Sequence, residues 1–324
     1  MSSQSIRRCV SVGLIVVLAV FFEVAAGGFL TSRNLLALLR DAAYMGLVAL
    51  GVCFVIVGGG VDLSGTGMLC FIGFAVARIS YINNMPGIVV LLAGVFIGVI
   101  CGLINATISI KLRLSEFVTT IATGLVYAGV ALLIAFRENG RITSRAITNQ
   151  GFLVIGRSVN GFFYITIAWI FLVIISQYVM KMTKLGMYTV ALGSNYRAAS
   201  MSGVNCNRLK TFGFMIGGAF IGIAAAFVVS YQNGTNMSFG SGMAFNAVAA
   251  CVVGGVVLGG GKGDPVASFL GAIIMTMITN GLYKLGLTIG GSYVTQGVII
   301  IVAMNLDTQI NRMSQKRLGK SELL

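Results

Sequence analysis

The chain has 324 residues, of which 57% are hydrophobic and only 9% charged, with a net charge of +14 and a mean hydropathy of +0.97. That composition excludes an ordinary soluble domain of this size, and it supplies many times over the roughly 20 apolar residues that one membrane-crossing helix needs. Continuous runs such as Ile88–Ile100 exclude a membrane β-barrel, histidine is absent, and the six cysteines are scattered without metal-ligand spacing. These features predict an all-α polytopic membrane protein, a single domain over residues 1–324 in a lipid bilayer. No catalytic set, cofactor, metal or nucleic-acid partner is expected. The basic excess is expected to hold loops on the cytoplasmic side.

In chain order, hydropathy predicts about ten transmembrane helices. The first, Val10–Phe29, carries Glu23 and follows Arg7-Arg8. This start resembles a signal peptide, with Ala25-Ala26-Gly27 as a cleavage site, but an uncleaved span suits a polytopic chain better. An amphipathic connection, Leu30–Arg40, leads into span two, Asp41–Val57. Span three, Ser64–Ile82, has Arg78 near its end, where it can snorkel. The loop Asn83-Asn84-Met85-Pro86-Gly87 is a turn signal. Spans four and five, Ile88–Ile110 and Phe117–Phe136, flank the short basic turn Lys111–Glu116. A polar stretch, Arg137–Asn160, precedes span six, Phe162–Met180. The basic stretch Lys181–Lys210 precedes span seven, Thr211–Tyr231, and the Gly/Asn/Ser loop Gln232–Gly242 precedes span eight, Met243–Leu258. Span nine is Pro265–Leu285 and span ten Tyr293–Asn305, followed by a tail with Arg312, Lys316, Arg317 and Lys320. With the N-terminus inside, fourteen Lys and Arg residues fall inside and seven outside, with Arg78 unassigned. The bias predicts an N-in, C-in orientation.

Two helix pairs are broken by glycine. Gly58-Gly59-Gly60 is followed by Asp62 and Ser64, and Gly259-Gly260-Gly261 by Asp264. Glycine-interrupted hydrophobic segments in two halves of a chain point to a transporter's pathway. On this reading Gly58, Gly59, Gly60, Asp62, Ser64, Gly259, Gly260, Gly261 and Asp264 flank or line the translocation route. The plainer alternative is two tight turns, with each acid capping the next helix. The internal repeat reads as parallel, with an inverted one left open.

Within Lys181–Lys210, the run Tyr196–Met201 is predicted to be a short helix, capped by Ser194 or Asn195 and ended by Gly203. A helix of one to two turns is not stable alone in water, so it needs a partner surface. An ordinary positive loop is the competing reading.

The order Gly-Gly-Val-Asp-Leu-Ser (Gly59–Ser64), Ala-Leu-Gly-Ser-Asn-Tyr-Arg-Ala-Ala (Ala191–Ala199), Ser-Gly-Val (Ser202–Val204), Val-Val-Gly-Gly-Val-Val-Leu-Gly-Gly-Gly-Lys-Gly (Val252–Gly263) and Asn-Gly-Leu (Asn280–Leu282) resembles the ribose-type permease family of bacterial ABC importers. The likeness runs from about Leu30 to Asp307. It departs from the family pattern at Gly65-Thr66-Gly67, at Leu114-Ser115-Glu116-Phe117 and at Gly242-Met243-Ala244-Phe245, which lacks an acid. The resemblance implies a non-enzymatic sugar permease of the inner membrane. It also implies three partners: a cytoplasmic ABC ATPase subunit, an extracytoplasmic sugar-binding protein, and a second permease copy or similar paralogue. The segment holding Asn195, Tyr196, Arg197, Ala198, Ala199, Ser200 and Gly203 would be the coupling helix docked on the ATPase. The chain carries no Gly-x4-Gly-Lys-Ser/Thr phosphate loop, so hydrolysis is expected on another polypeptide. An ion-coupled secondary transporter using Asp62, Asp264 and Glu23 is the alternative from another class. A membrane enzyme finds no paired acid or nucleophile–base set to support it.

Overall fold

The computed structural model describes residues 3–305 except 82–84, 139–140, 144–145, 160, 237, 289, 292–293, 296, 299–300 and 302–304. Twelve α-helices are described: α1 Ser3–Ala26, α2 Ser32–Val57, α3 Gly65–Ser80, α4 Gly87–Leu112, α5 Glu116–Ile134, α6 Gln150–Leu153, α7 Tyr164–Met182, α8 Lys184–Ser194, α9 Tyr196–Met201, α10 Cys206–Gln232, α11 Met243–Gly254 and α12 Pro265–Lys284. Among the described residues strand is confined to two small antiparallel hairpins, β1 (Arg137–Glu138) with β2 (Arg141–Ile142) and β3 (Ser158–Val159) with β4 (Phe162–Phe163). Among the described residues seven helices, α1, α2, α4, α5, α7, α10 and α12, are long and apolar enough to cross a membrane, and α3 and α11 are shorter apolar helices. The expected tenth span and the basic tail lie largely outside the described residues.

α2 is the axis of the bundle. Its most apolar stretch is 83% buried, whereas that of α1 is 11% buried, so α1 lies on the outside against α12. Glycine sets how closely the other helices approach. α4 and α10 run antiparallel with Gly94 against Gly222 and Gly98 against Gly218, and a methyl on Gly98 would lie 2.0 Å from the Gly218 carbonyl oxygen. Gly254 and Gly271 bring α11 and α12 together in the same way. Without a hydrophobic force between helices in lipid, backbone approach of this kind is what packs them.

Several features differ from the sequence reading. Leu30–Arg40 is no separate connection: α2 begins at Ser32, because the Leu35–Leu39 run continues the helix and Leu38 is buried. The basic stretch after α7 contains a helix that the pattern did not announce, α8, whose N-cap Thr183 accepts from Gly186 N–H. Span eight stops early, since Gly255 takes φ +106° and α11 ends at Gly254. Arg78 does not merely snorkel: its Nε donates to Ile134 O at 2.5 Å and its NH2 to Ala135 O at 3.3 Å, closing the C-terminus of α5. Within the polar stretch before α7, residues 150–156 form α6 and a 3-10 turn. Asn149 caps α6 through Phe152 N–H and donates to Ser80 O and Met85 O, fixing it over the ends of α3 and α4.

Candidate functional site

The first glycine break closes α2. Gly59 N–H donates to Ile56 O at 2.8 Å and Gly60 N–H to Val55 O at 3.0 Å, with Gly59 at φ +87°. That left-handed residue closes the helix and lets the chain turn. Asp62, buried at the turn, accepts from Ser64 N–H at 2.8 Å and from Ser64 Oγ at 2.6 Å. Asn105 of α4 donates to Ser64 Oγ at 2.8 Å, and the Tyr127 hydroxyl of α5 lies 2.9 Å from both Asn105 Oδ1 and Cys101 O. A buried polar chain therefore runs from Asp62 across α4 to α5, each member satisfied by the next, as burial demands. Sequence reasoning found Asp62 and Ser64 but not Asn105 or Tyr127, which sit singly in apolar helices.

The second break is built differently. Gly260 and Gly261 take φ +81° and +70°. Gly260 N–H donates to Val257 O at 3.0 Å, and Val257 N–H to Lys262 O at 2.9 Å. Asp264 caps α12, accepting from Ala267 N–H at 3.0 Å. Its other oxygen pairs with Arg8 of α1 and lies 3.9 Å from Lys181 and 3.5 Å from Gln177 of α7. One carboxylate thus ties α1, α7 and α12 together.

The two breaks touch. Gly261 N–H donates to Val57 O at 2.9 Å, so the end of α2 is bonded to the turn before α12. The end of α8 enters the same point. A Cβ on Gly193 would lie 2.0 Å from Val57 O and 2.5 Å from Gly261 N. A Cβ on Gly260 would lie 2.7 Å from Gly59 Cα, and one on Gly261 would lie 2.8 Å from Ser194 Cα. Three chain segments therefore meet backbone to backbone, at a place no side chain can enter. Gly58 and Gly259 stand at the edge of this junction, where an added Cβ would make only ordinary contacts. Gly60 faces Glu116, which is paired with Lys210 at 2.5 Å. Gly193 was missed as a site residue, although it lies in the Ala191–Ala199 run.

α9 grows directly out of this junction. Asn195 is both the last residue after α8 and the cap of α9, its side chain accepting from Ala198 N–H at 3.0 Å. Gly203, at φ +81°, follows the end of α9, and Val204 N–H donates back to Ala199 O at 3.2 Å. Tyr196, Arg197, Ala198, Ser200 and Met201 are exposed, and Met201 keeps 90% of its surface open. Ala199 faces inward with Leu192 and Cys206, which is the partner surface so short a helix requires. Lys210 lies 5.6 Å from the Tyr196 ring centre and so links the start of α9 to Glu116 at the base of α5.

Residues 34–304 match the family described as branched-chain amino acid transport system / permease component. The chain is 30% identical over 292 residues to the ribose import permease of Bacillus subtilis, covering 90% of this chain and 89% of that one. It is 29% identical over 304 residues to the ribose import permease of Escherichia coli K12, covering 92% of each. To the xylose/arabinose import permease of Sulfolobus acidocaldarius it is 30% identical over 314 residues, or 93% of this chain and 85% of that one.

Proposed function

The chain belongs to the branched-chain amino acid transport system / permease component family, among its ABC-importer sugar permeases, and on that premise we propose that it carries a simple sugar across the bacterial inner membrane by alternating access driven by a separate ATPase subunit. It is a multi-pass membrane protein. The names of the relatives support a pentose or related sugar as substrate. The junction end, rich in Lys and Arg, is the cytoplasmic end in this proposal.

One observation carries the coupling part of the proposal: the bond from Gly261 to Val57 at the point where Gly193 approaches both. The exposed face of α9, with Tyr196, Arg197, Ala198, Ser200 and Met201, is the ATPase dock, while Asn195, Ala199 and Gly203 hold its shape. A push on α9 reaches α8, and the backbone contact at Gly193 passes it to both breaks at once. The breaks, Gly58, Gly59, Gly60, Asp62 and Ser64 on one side and Gly259, Gly260, Gly261 and Asp264 on the other, act as the cytoplasmic gate of the pathway. A packed backbone junction has few intermediate arrangements, which suits a switch between two states. A binding protein delivering sugar at the far end and a second permease copy complete the machine.

Uptake of labelled D-ribose and D-xylose by proteoliposomes holding the chain with its ATPase and binding protein tests this. The expected uptake requires ATP and persists in the presence of an uncoupler. Uptake that collapses with the uncoupler at constant ATP would replace this mechanism by ion coupling. Absence of sugar uptake would refute the substrate assignment.

A further inference from the structure

At the end of α2 opposite the junction, Arg40, Asp41 and Tyr44 face Phe163 of β4 and Tyr231 and Gln232 of α10 across a cavity of about 130 Å³. Arg40 lies about 25 Å along α2 from Val57, at roughly 1.5 Å per residue. Its guanidinium is fully engaged. Nε donates to Asp41 Oδ1 at 2.8 Å, a second nitrogen lies 2.7 Å from the same oxygen, and a third reaches the Tyr231 hydroxyl. The cation also sits 4.3 Å from the Tyr231 ring centre and 5.2 Å from that of Phe163. Asp41 in contrast keeps 52% of its side chain open. Among the described residues the Tyr44 hydroxyl and the Gln232 amide have no hydrogen-bond partner, and both line the cavity.

We infer that this cavity is a subsite for a neutral polyol, the first protein surface the sugar meets after release at the far end; the inference rests on the sugar-permease reading above. The lining offers an open carboxylate, an amide and a hydroxyl beside apolar ring edges. Sugar hydroxyls both donate and accept, so one molecule bonds all three groups while its C–H face rests on the aromatic rings. At about 30 Å³ of liquid volume per water, the space holds about four waters, so it takes one edge of a pentose or hexose and leaves the rest of the ring at the mouth beside the exposed Asp41, Tyr231 and Gln232. A free amino acid fits the chemistry poorly. Its carboxylate would need an unpaired cation, and Arg40 is already neutralised by Asp41 and shielded by two rings. The site therefore selects for sugars against the amino acids that the family's name suggests.

The test uses the assembled complex in proteoliposomes, with saturating binding protein and labelled D-ribose, D-xylose, D-fructose or L-leucine. Tyr44→Phe removes only a hydroxyl that no described residue holds, so it leaves packing intact; Gln232→Ala is the second variant. Each is expected to lower sugar uptake per complex by about 3- to 10-fold, the loss of one hydrogen bond, while ATP hydrolysis stimulated by the binding protein stays at the wild-type rate. Wild-type sugar uptake in both variants would overturn the subsite and leave the permease reading standing. Wild-type complexes that import L-leucine and no sugar would overturn the permease reading for sugars, and the subsite with it.

Discussion

Gly193→Ala is the sharpest test of the junction. Gly193 sits in α8 with ordinary helical angles, so alanine adds no backbone strain, and in a free helix it would stabilise by about 1 kcal/mol. Here its methyl would lie 2.0 Å from Val57 O, where ordinary contact begins at 3.4 Å, so the carbonyl has to retreat by about 1.4 Å. That retreat breaks the 2.9 Å bond from Gly261 N–H. The lost hydrogen bond costs about 0.5–1.5 kcal/mol and the overpacking about 1–3 kcal/mol. After the helix gain is subtracted, the packed junction is destabilised by about 2 kcal/mol, a shift of roughly 30-fold between its packed and open forms. The assay is uptake together with ATP hydrolysis stimulated by the binding protein, in purified complex. Uptake is expected to fall by tenfold or more while the complex still assembles. Gly129→Ala is the control, because a Cβ there meets nothing within 4 Å. Wild-type uptake in Gly193→Ala would show that the junction is mere packing and would refute coupling through it.

The exposed and buried sides of α9 should separate in mutants. Met201→Asp changes a side chain that is 90% exposed, so it should abolish stimulated ATP hydrolysis without loss of assembled permease. Ala199→Trp should instead disrupt α9 itself, since Ala199 is packed against Leu192 and Cys206, and should appear as protease sensitivity of the 195–205 segment. Equal hydrolysis in Met201→Asp and wild type would move the dock elsewhere. Asp62→Asn should retain most transport, because an amide oxygen can still accept from Ser64. Complete loss of uptake in that variant, at normal expression, would revive ion coupling.

Local chemistry made much of this protein legible before any packing was known. Hydropathy alone marked the membrane class, because apolar runs of this length have no soluble solution. The first glycine triplet marked the end of α2, because backbone entropy and left-handed angles act within a few residues, whereas the second lies in the turn beyond Gly255, which ends α11. The helix Tyr196–Met201, its Asn195 cap and the Gly203 that follows it were readable for the same reason, as was Asp264 as a cap. Other features exist only in three dimensions. The meeting of Val57, Gly193 and Gly261 joins residues far apart in the chain, and no local pattern encodes which glycines face one another. Whether Ala199 or Met201 points inward depends on how α8 and α10 pack, since both side chains suit either place. Asn105, Tyr127 and Tyr44 look like stray polar positions in apolar helices until the fold gives two of them buried partners and the third a cavity. Hydrogen-bond partners and close approaches are set by the whole bundle at once, so only the tertiary structure decides them.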